Sequence, residues 1–189
     1  MENKTIHDSI VPKVLESGAF AAAVIEAKDV VVDVKFREMC ASNLCGNYGK
    51  CWTCPPDIGS IESLINELSA YKNVLVYQTV GELEDSYDFE SMMDACDKHN
   101  LLAQNIRKLF DLYKNLKTLH LGAGGCHICE TCAKKTNEPC RHPELALASL
   151  EAYGINVSKL AETSGMKYIN GQNTVTYFGA VFYNEDCNE

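Results

Sequence analysis

Eight of the ten cysteines in this chain fall into two short groups, and this clustering constrains the fold more than any other feature of the sequence. The first cysteine group comprises Cys40, Cys45, Cys51 and Cys54, and the second cysteine group comprises Cys126, Cys129, Cys132 and Cys140. Disulfide pairing does not explain why the cysteines form two groups of four, whereas two metal sites with four ligands each explain it. We therefore predict that both groups bind metal, with all eight cysteines as ligands.

The second cysteine group lies in the segment GAGGCHICETCAKKTNEPCRHP, residues 122–143. Its first three cysteines follow one another at a three-residue step and can turn their sulfurs toward one point, as in the C-x2-C-x2-C run of bacterial-type ferredoxins. Tetrahedral zinc sites more often use two separated C-x2-C pairs. The spacing therefore favours a [4Fe-4S] cluster here, and a four-cysteine zinc site is the alternative.

The first cysteine group has the spacing C-x4-C-x5-C-x2-C, which matches neither the bacterial nor the plant-type ferredoxin pattern. Four thiolates in one loop suit either a second [4Fe-4S] cluster or a structural zinc ion. Association with the second group favours a second cluster. Cys54, which precedes a proline, and Cys140 are candidates for ligand exchange between the groups. Outside the groups, we expect Cys96 to be a buried structural thiol and Cys187 an exposed one.

Composition restricts the class of protein further. The chain has 189 residues, of which 46% are hydrophobic and 23% charged, as in a globular protein, and we predict a single domain over 1–189. A formal net charge of -9 disfavours nucleic acid as a partner. The sequence contains neither a long apolar run nor an N-terminal apolar segment typical of a signal peptide, so we expect no membrane association and a cytoplasmic location. It leaves the oligomeric state open.

Hydrophobic periodicity predicts helices over 7–17, 61–71, 88–116, 144–152 and 157–164, and strands over 19–25, 30–36, 73–80, 118–121 and 174–183. The longest helix has a candidate break at His99–Asn100. Glycines and Pro55–Pro56 predict an irregular loop over 40–56. Strand 73–80, the long helix and strand 118–121 form a parallel crossover unit. The predicted fold is α/β: a mixed, largely parallel sheet flanked by helices, with two cysteine-rich metal-binding loops near one end.

The motifs NYGKCWTCPP, GGCHICETCA, PCRHPELALASLEAYGINV and NTVTYFGAV occur in this order after Cys40 and Cys45. In these motifs the chain resembles the predicted metal-binding proteins of domain-of-unknown-function family 2284. The resemblance implies that the eight clustered cysteines belong to a metal-binding pattern that excludes Cys96 and Cys187. It leaves open whether Cys51 is a local addition, in which case Cys40, Cys45 and Cys54 need a fourth ligand from elsewhere or leave one iron open. It implies no particular reaction.

These observations favour an iron-sulfur protein, with two [4Fe-4S] clusters, that transfers electrons to a partner enzyme. A structural zinc-binding interaction module is one alternative. An enzyme with an open-site cluster that binds a small substrate or cofactor is another. No catalytic residue is indicated, because the chain lacks a P-loop, a G-x-G-x-x-G motif and a recognisable Ser/His/Asp arrangement.

Overall fold

The computed structural model describes residues 6–113 and 116–185, which form five α-helices around one five-stranded sheet. The helices are α1 (Ile6–Glu16), α2 (Val34–Ala41), α3 (Ile61–Leu68), α4 (Phe89–Asp111) and α5 (Val157–Thr163). The strands are β1 (Ala21–Glu26), β2 (Asn73–Glu82), β3 (Thr118–Gly122), β4 (Ala148–Ser149) and β5 (Thr174–Tyr183). Short 3₁₀ helices lie at Ala27–Asp29, Ala133–Thr136 and Glu151–Tyr153.

The sheet is mostly antiparallel, so the prediction of a largely parallel sheet was wrong. Its strand order is β1-β2-β5-β3-β4, and the β3–β4 pair alone is parallel among the described strands. Strands β2 and β3 do point the same way, as the crossover predicts, because both run antiparallel to β5. However, β5 lies between them and pairs along its whole length with β2. The long C-terminal strand therefore separates the two strands that were expected to be neighbours.

Both faces of the sheet are covered by helices, which makes this a three-layer α/β arrangement. Along β2, Val74 and Val76 pack with α3 and α5 on one face, whereas Leu75 and Tyr77 pack with α1 and α4 on the other. This alternation follows from the two-residue period of a strand. All four side chains are at most 2% exposed. The core is therefore divided by the sheet into two apolar layers.

Most predicted helices are present with small shifts at their ends. Helix α3 begins after Ser60, whose hydroxyl oxygen accepts a hydrogen bond from the backbone N–H of Ser63. Helix α4 runs unbroken through His99 and Asn100. The His99 side chain is fully buried, lies 2.9 Å from Thr79 Oγ1 through its Nδ1 atom and stacks on Tyr77. A polar residue at this position thus packs into the core without interrupting the helix.

Residues 30–36 do not form the predicted strand. Val32 makes a single antiparallel bridge with Ile155, and the chain then enters α2 at Val34. Asp33 is the reason for the early helix start, because its side chain accepts a hydrogen bond of 2.9 Å from the backbone N–H of Lys35. The β-branched run therefore ends at a helix cap.

Residues 144–152 do not form the predicted helix either. They contain a turn, the short strand β4 and the start of a 3₁₀ helix. Ala148 and Ser149 pair with Leu121 and Gly122 of β3, and this pairing satisfies backbone groups at the sheet edge. The free energy gained when this alanine- and leucine-rich segment pairs with the open edge of β3 exceeds its local preference for a helix.

Candidate metal centre

The first cysteine group begins at the end of α2 and continues through a series of turns that ends near residue 58. Arg37 anchors α2 by donating hydrogen bonds to two backbone carbonyls, Ala152 O at 2.9 Å and Gly59 O at 2.5 Å. One turn later in α2, the Cys40 thiol donates to Phe36 O at 3.7 Å. Burial raises the pKa of the Cys40 thiol, while the neighbouring Arg37 lowers it.

Three thiols of the first group surround one cavity of about 290 Å³, which we call the first cavity. These are Cys40, Cys45 and Cys54. The rest of the wall consists of Phe36, Met39, Leu44, Tyr48, Pro55, Gly124, Gly125, Ser149 and Glu151. Its contents would lie near the surface, because Met39 is 63% exposed and Leu44 is 91% exposed. A single bound water needs about 10–15 Å³, so this space is much larger than one ion requires.

All four thiols of the second group, Cys126, Cys129, Cys132 and Cys140, line one enclosed space together with Arg141 and His142. This second cavity measures only about 10 Å³. Four thiols are the donor set of a cubane cluster and of a structural zinc ion, so the chemistry fits a metal centre. The space fits a cluster only if the loop widens, which turns outside regular secondary structure permit. His127 lines a different cavity, on the side of α4.

The two cysteine loops are joined by a set of side-chain contacts. Trp52 donates its indole N–H to Glu138 O at 2.8 Å. The Lys134 ammonium forms an ion pair of 2.5 Å with Asp57 and lies 4.3 Å from the centre of the Trp52 ring. Both ion-pair side chains are 17% exposed, so solvent screens this pair less than a surface pair. These contacts connect loops that are 77 to 86 positions apart in the sequence.

Gly125 lies at a close approach between the two loops. A Cβ atom at this position would stand 2.8 Å from Asn47 Nδ2 and 3.2 Å from Asn47 Cγ. A side chain at this position would therefore require Asn47 to shift away from the segment that follows β3. Because Gly125 immediately precedes Cys126, this approach brings the first group next to the second.

Cys51 is the thiol that connects the two groups. Its side chain is 4% exposed and lies 3.3 Å from Thr53 Oγ1, and its pKa depends on Cys126 and on Cys54. The hydrogen bond from Cys126, followed by that from Cys54, lowers the pKa of Cys51. The same bonds, reinforced by burial, raise the pKa of Cys54 and of Cys126. The pKa of Cys51 therefore depends on both of the other thiols, and the pKa of each of them depends on Cys51.

The remaining wall of the first cavity comes from the end of the sheet. Strands β3 and β4 are parallel, so their carboxyl ends lie at the same edge. Gly124 and Gly125 follow β3, whereas Ser149 ends β4 and Glu151 begins the 3₁₀ helix after it. Burial raises the pKa of the Glu151 carboxyl.

Sequence reasoning missed Ser149 and Glu151 because it assigned both to a helix. Nothing in the local sequence marks Glu151 as a cavity residue, since its position depends on the pairing of β4 with β3. Cys96 is 8% exposed on α4 and accepts a hydrogen bond of 3.6 Å from Asn100, which confirms it as a buried thiol. Cys187 lies outside the described residues.

The side chains as placed do not converge on a single ion. Within residues 6–113 and 116–185, no group of three or more His, Cys, Asp or Glu side chains is arranged to hold a metal ion. Seven of the eight clustered cysteines nevertheless line the two cavities, and Cys51 connects them.

Comparison with protein families identifies the class of protein. A family described as a predicted metal-binding protein (DUF2284) matches residues 23–183, which include both cysteine groups. The chain belongs to this family. No curated protein and no solved structure matches it. Membership in DUF2284 supports metal binding without naming the metal. Among the residues described for this DUF2284 protein, no helix has the length and apolar character needed to cross a membrane.

Proposed function

We propose that this chain holds two [4Fe-4S] clusters, one at each cysteine group, and transfers electrons to or from a partner enzyme. The observation that carries the proposal is the division of the clustered thiols between two adjoining cavities, three in the first and four in the second. The compact three-residue step of Cys126, Cys129 and Cys132 favours iron-sulfur over zinc at the second group. The size of the first cavity, about 290 Å³, favours a cluster over one ion at the first group.

Adjacency of the groups supports electron transfer between them. The two loops adjoin, because Trp52 donates its indole N–H to Glu138 O at 2.8 Å and a Cβ at Gly125 would meet Asn47. Each cluster, when bound, accepts and releases one electron. The chain's own contribution is to hold the two ligand sets together through the Trp52, Lys134 and Asp57 contacts.

The exposed edge of the first cavity supports exchange of electrons with another protein. Met39 and Leu44 are largely exposed at this edge, whereas the second cavity is more enclosed. Apolar side chains at a surface are typical of protein contact sites. We therefore propose that the first cluster exchanges electrons with the redox partner. The second cluster, which is more enclosed, exchanges electrons with the first. A reducing cytoplasm would keep the ligands as free thiols.

A zinc ion at the second cysteine group is the second candidate. The observation that favours it is the volume of the second cavity, about 10 Å³, which needs less expansion for one ion than for a cluster. In that case the second site stabilises the loop, and electron transfer is left to a single cluster at the first group.

Reduction of anaerobically purified protein tests the proposal. We expect a brown protein whose visible absorption is bleached by dithionite and recovers on addition of ferricyanide, with two electrons taken up per chain. Cys129→Ala, which removes a thiol of the second group alone, should lower this to about one electron per chain. A colourless wild-type protein would contradict the proposal. A wild-type protein that takes up one electron and contains one zinc ion would establish the second candidate instead.

A further inference from the structure

We propose that the first cluster is held by Cys40, Cys45, Cys54 and the carboxylate of Glu151, and that Cys51 is not one of its ligands. This inference rests on the proposed cluster at the first cysteine group. It names the group that occupies the fourth ligand position, which the cysteine pattern alone leaves undecided.

The placement of Cys51 argues against it as the fourth ligand. It is absent from the wall of the first cavity, where the other three thiols of its group lie. Its sulfur instead lies 3.3 Å from Thr53 Oγ1, and its side chain is only 4% exposed. Turning this buried sulfur toward the first cavity would break its contact with Thr53. A cluster at the first group therefore meets three thiols from the chain.

Glu151 is positioned to supply the fourth ligand. It lies on the wall of the same cavity as the Cys40, Cys45 and Cys54 thiols. The carboxyl is partly buried and forms no ion pair with any residue that the structure describes. Among the described residues, the carboxyl accepts hydrogen bonds only from neutral donors, the Ser149 hydroxyl and its own backbone N–H, and an iron ion would supply a positive charge. Carboxylates serve as ligands of iron in other protein sites.

Other polar groups on the wall are weaker candidates. The Ser149 hydroxyl is neutral and already accepts a hydrogen bond of 3.1 Å from the backbone N–H of Ala152. Tyr48 lines the cavity and supplies a phenol oxygen, which can ligate iron in haem proteins. Tyr48 therefore provides the matched control, since it shares the cavity wall with Glu151 but is not assigned as a ligand.

Glu151 and Cys51 can be distinguished as the fourth ligand by substitution. Only the replacement of the true ligand leaves one iron of the first cluster without a ligand from the chain. Ferricyanide removes one electron from a [4Fe-4S] cluster whose unique iron is unsupported, that iron leaves as Fe²⁺, and a three-iron cluster with a distinctive paramagnetic resonance signal is left. We expect Glu151→Gln to give this signal at about one per chain and to retain about seven of eight irons. Cys51→Ala and Tyr48→Phe should behave like the wild-type protein, with about eight irons and little three-iron signal.

Several outcomes would overturn the assignment. A three-iron signal from Cys51→Ala, with Glu151→Gln unchanged, would make Cys51 the fourth ligand, and a signal from Tyr48→Phe would point to the phenol. Equal signals from wild-type and Glu151→Gln proteins would mean that no side chain occupies the position. The irons of the second cluster report whether each variant is folded, and a three-iron signal from Cys51→Ala overturns the assignment even if Glu151→Gln fails to fold. Wild-type protein without iron would instead refute the proposed function itself.

Discussion

Replacing Gly125 by alanine tests whether the two cysteine loops pack against each other as described. The added methyl carbon would lie 2.8 Å from Asn47 Nδ2 and 3.2 Å from Asn47 Cγ, against about 3.5–4.0 Å for an ordinary contact. Overpacking of this kind costs about 1–3 kcal/mol. Asn47 is only partly buried and can shift, so we expect a loss of about 1–2 kcal/mol in the free energy of unfolding.

A double-mutant cycle identifies the cause of this loss. Asn47→Ala removes the two closest atoms and leaves the Asn47 Cβ, which would lie at an ordinary 3.7 Å from the new methyl carbon. The double variant should therefore regain about 1 kcal/mol relative to the sum of the single variants. Urea unfolding of the protein, kept reduced and treated with a chelator, measures this without a contribution from metal. Single effects that add within about 0.3–0.5 kcal/mol would refute the contact between the loops.

Two further substitutions test the core and the connection between the loops. Burial lowers the pKa of His99 from 6.5 to about 4, so folding favours the neutral imidazole. The stability that this adds is complete above pH 6.5 and declines as the pH falls toward 4. The decline should reach about 3 kcal/mol, and urea unfolding between pH 7 and 5 should show a shallower slope for His99→Gln than for the wild type. An unchanged slope would contradict the burial of a neutral imidazole. Asp57→Asn should cost about 1–2 kcal/mol in urea unfolding because it leaves the Lys134 ammonium largely buried without its carboxylate. Lys134→Met in the same chain should recover part of that loss, and a loss that persists in full would mean that the ion pair is not its source.

The elements that the sequence predicts well are those whose signals are local. Strand β5 spans Thr174–Tyr183 as predicted, because a run of β-branched and aromatic residues has few alternatives to a strand. Helix α3 starts after Ser60 because the cap and the apolar spacing lie within one short segment. The grouping of the cysteines is likewise local, and the metal-binding family was recognisable from these motifs.

The elements that the sequence does not predict depend on residues that are distant along the chain. Strand β4 exists because Ala148 and Ser149 meet the edge of β3, and no local pattern reveals that pairing. Strand β5 lies between β2 and β3. The predicted crossover fixed the relative direction of β2 and β3, but it did not reveal that another strand would separate them. The position of Glu151 in the first cavity follows from both arrangements, so this part of the site was inaccessible to sequence reasoning.

Chemical analysis of iron, acid-labile sulfide and zinc in anaerobically purified protein tests the central claim most directly. Two cubane clusters predict about eight irons and about eight sulfides per chain, with no zinc. About four of each together with one zinc ion would limit the account to a single cluster. Zinc without iron or sulfide would contradict it, because the eight clustered cysteines would then form structural sites that carry no electrons.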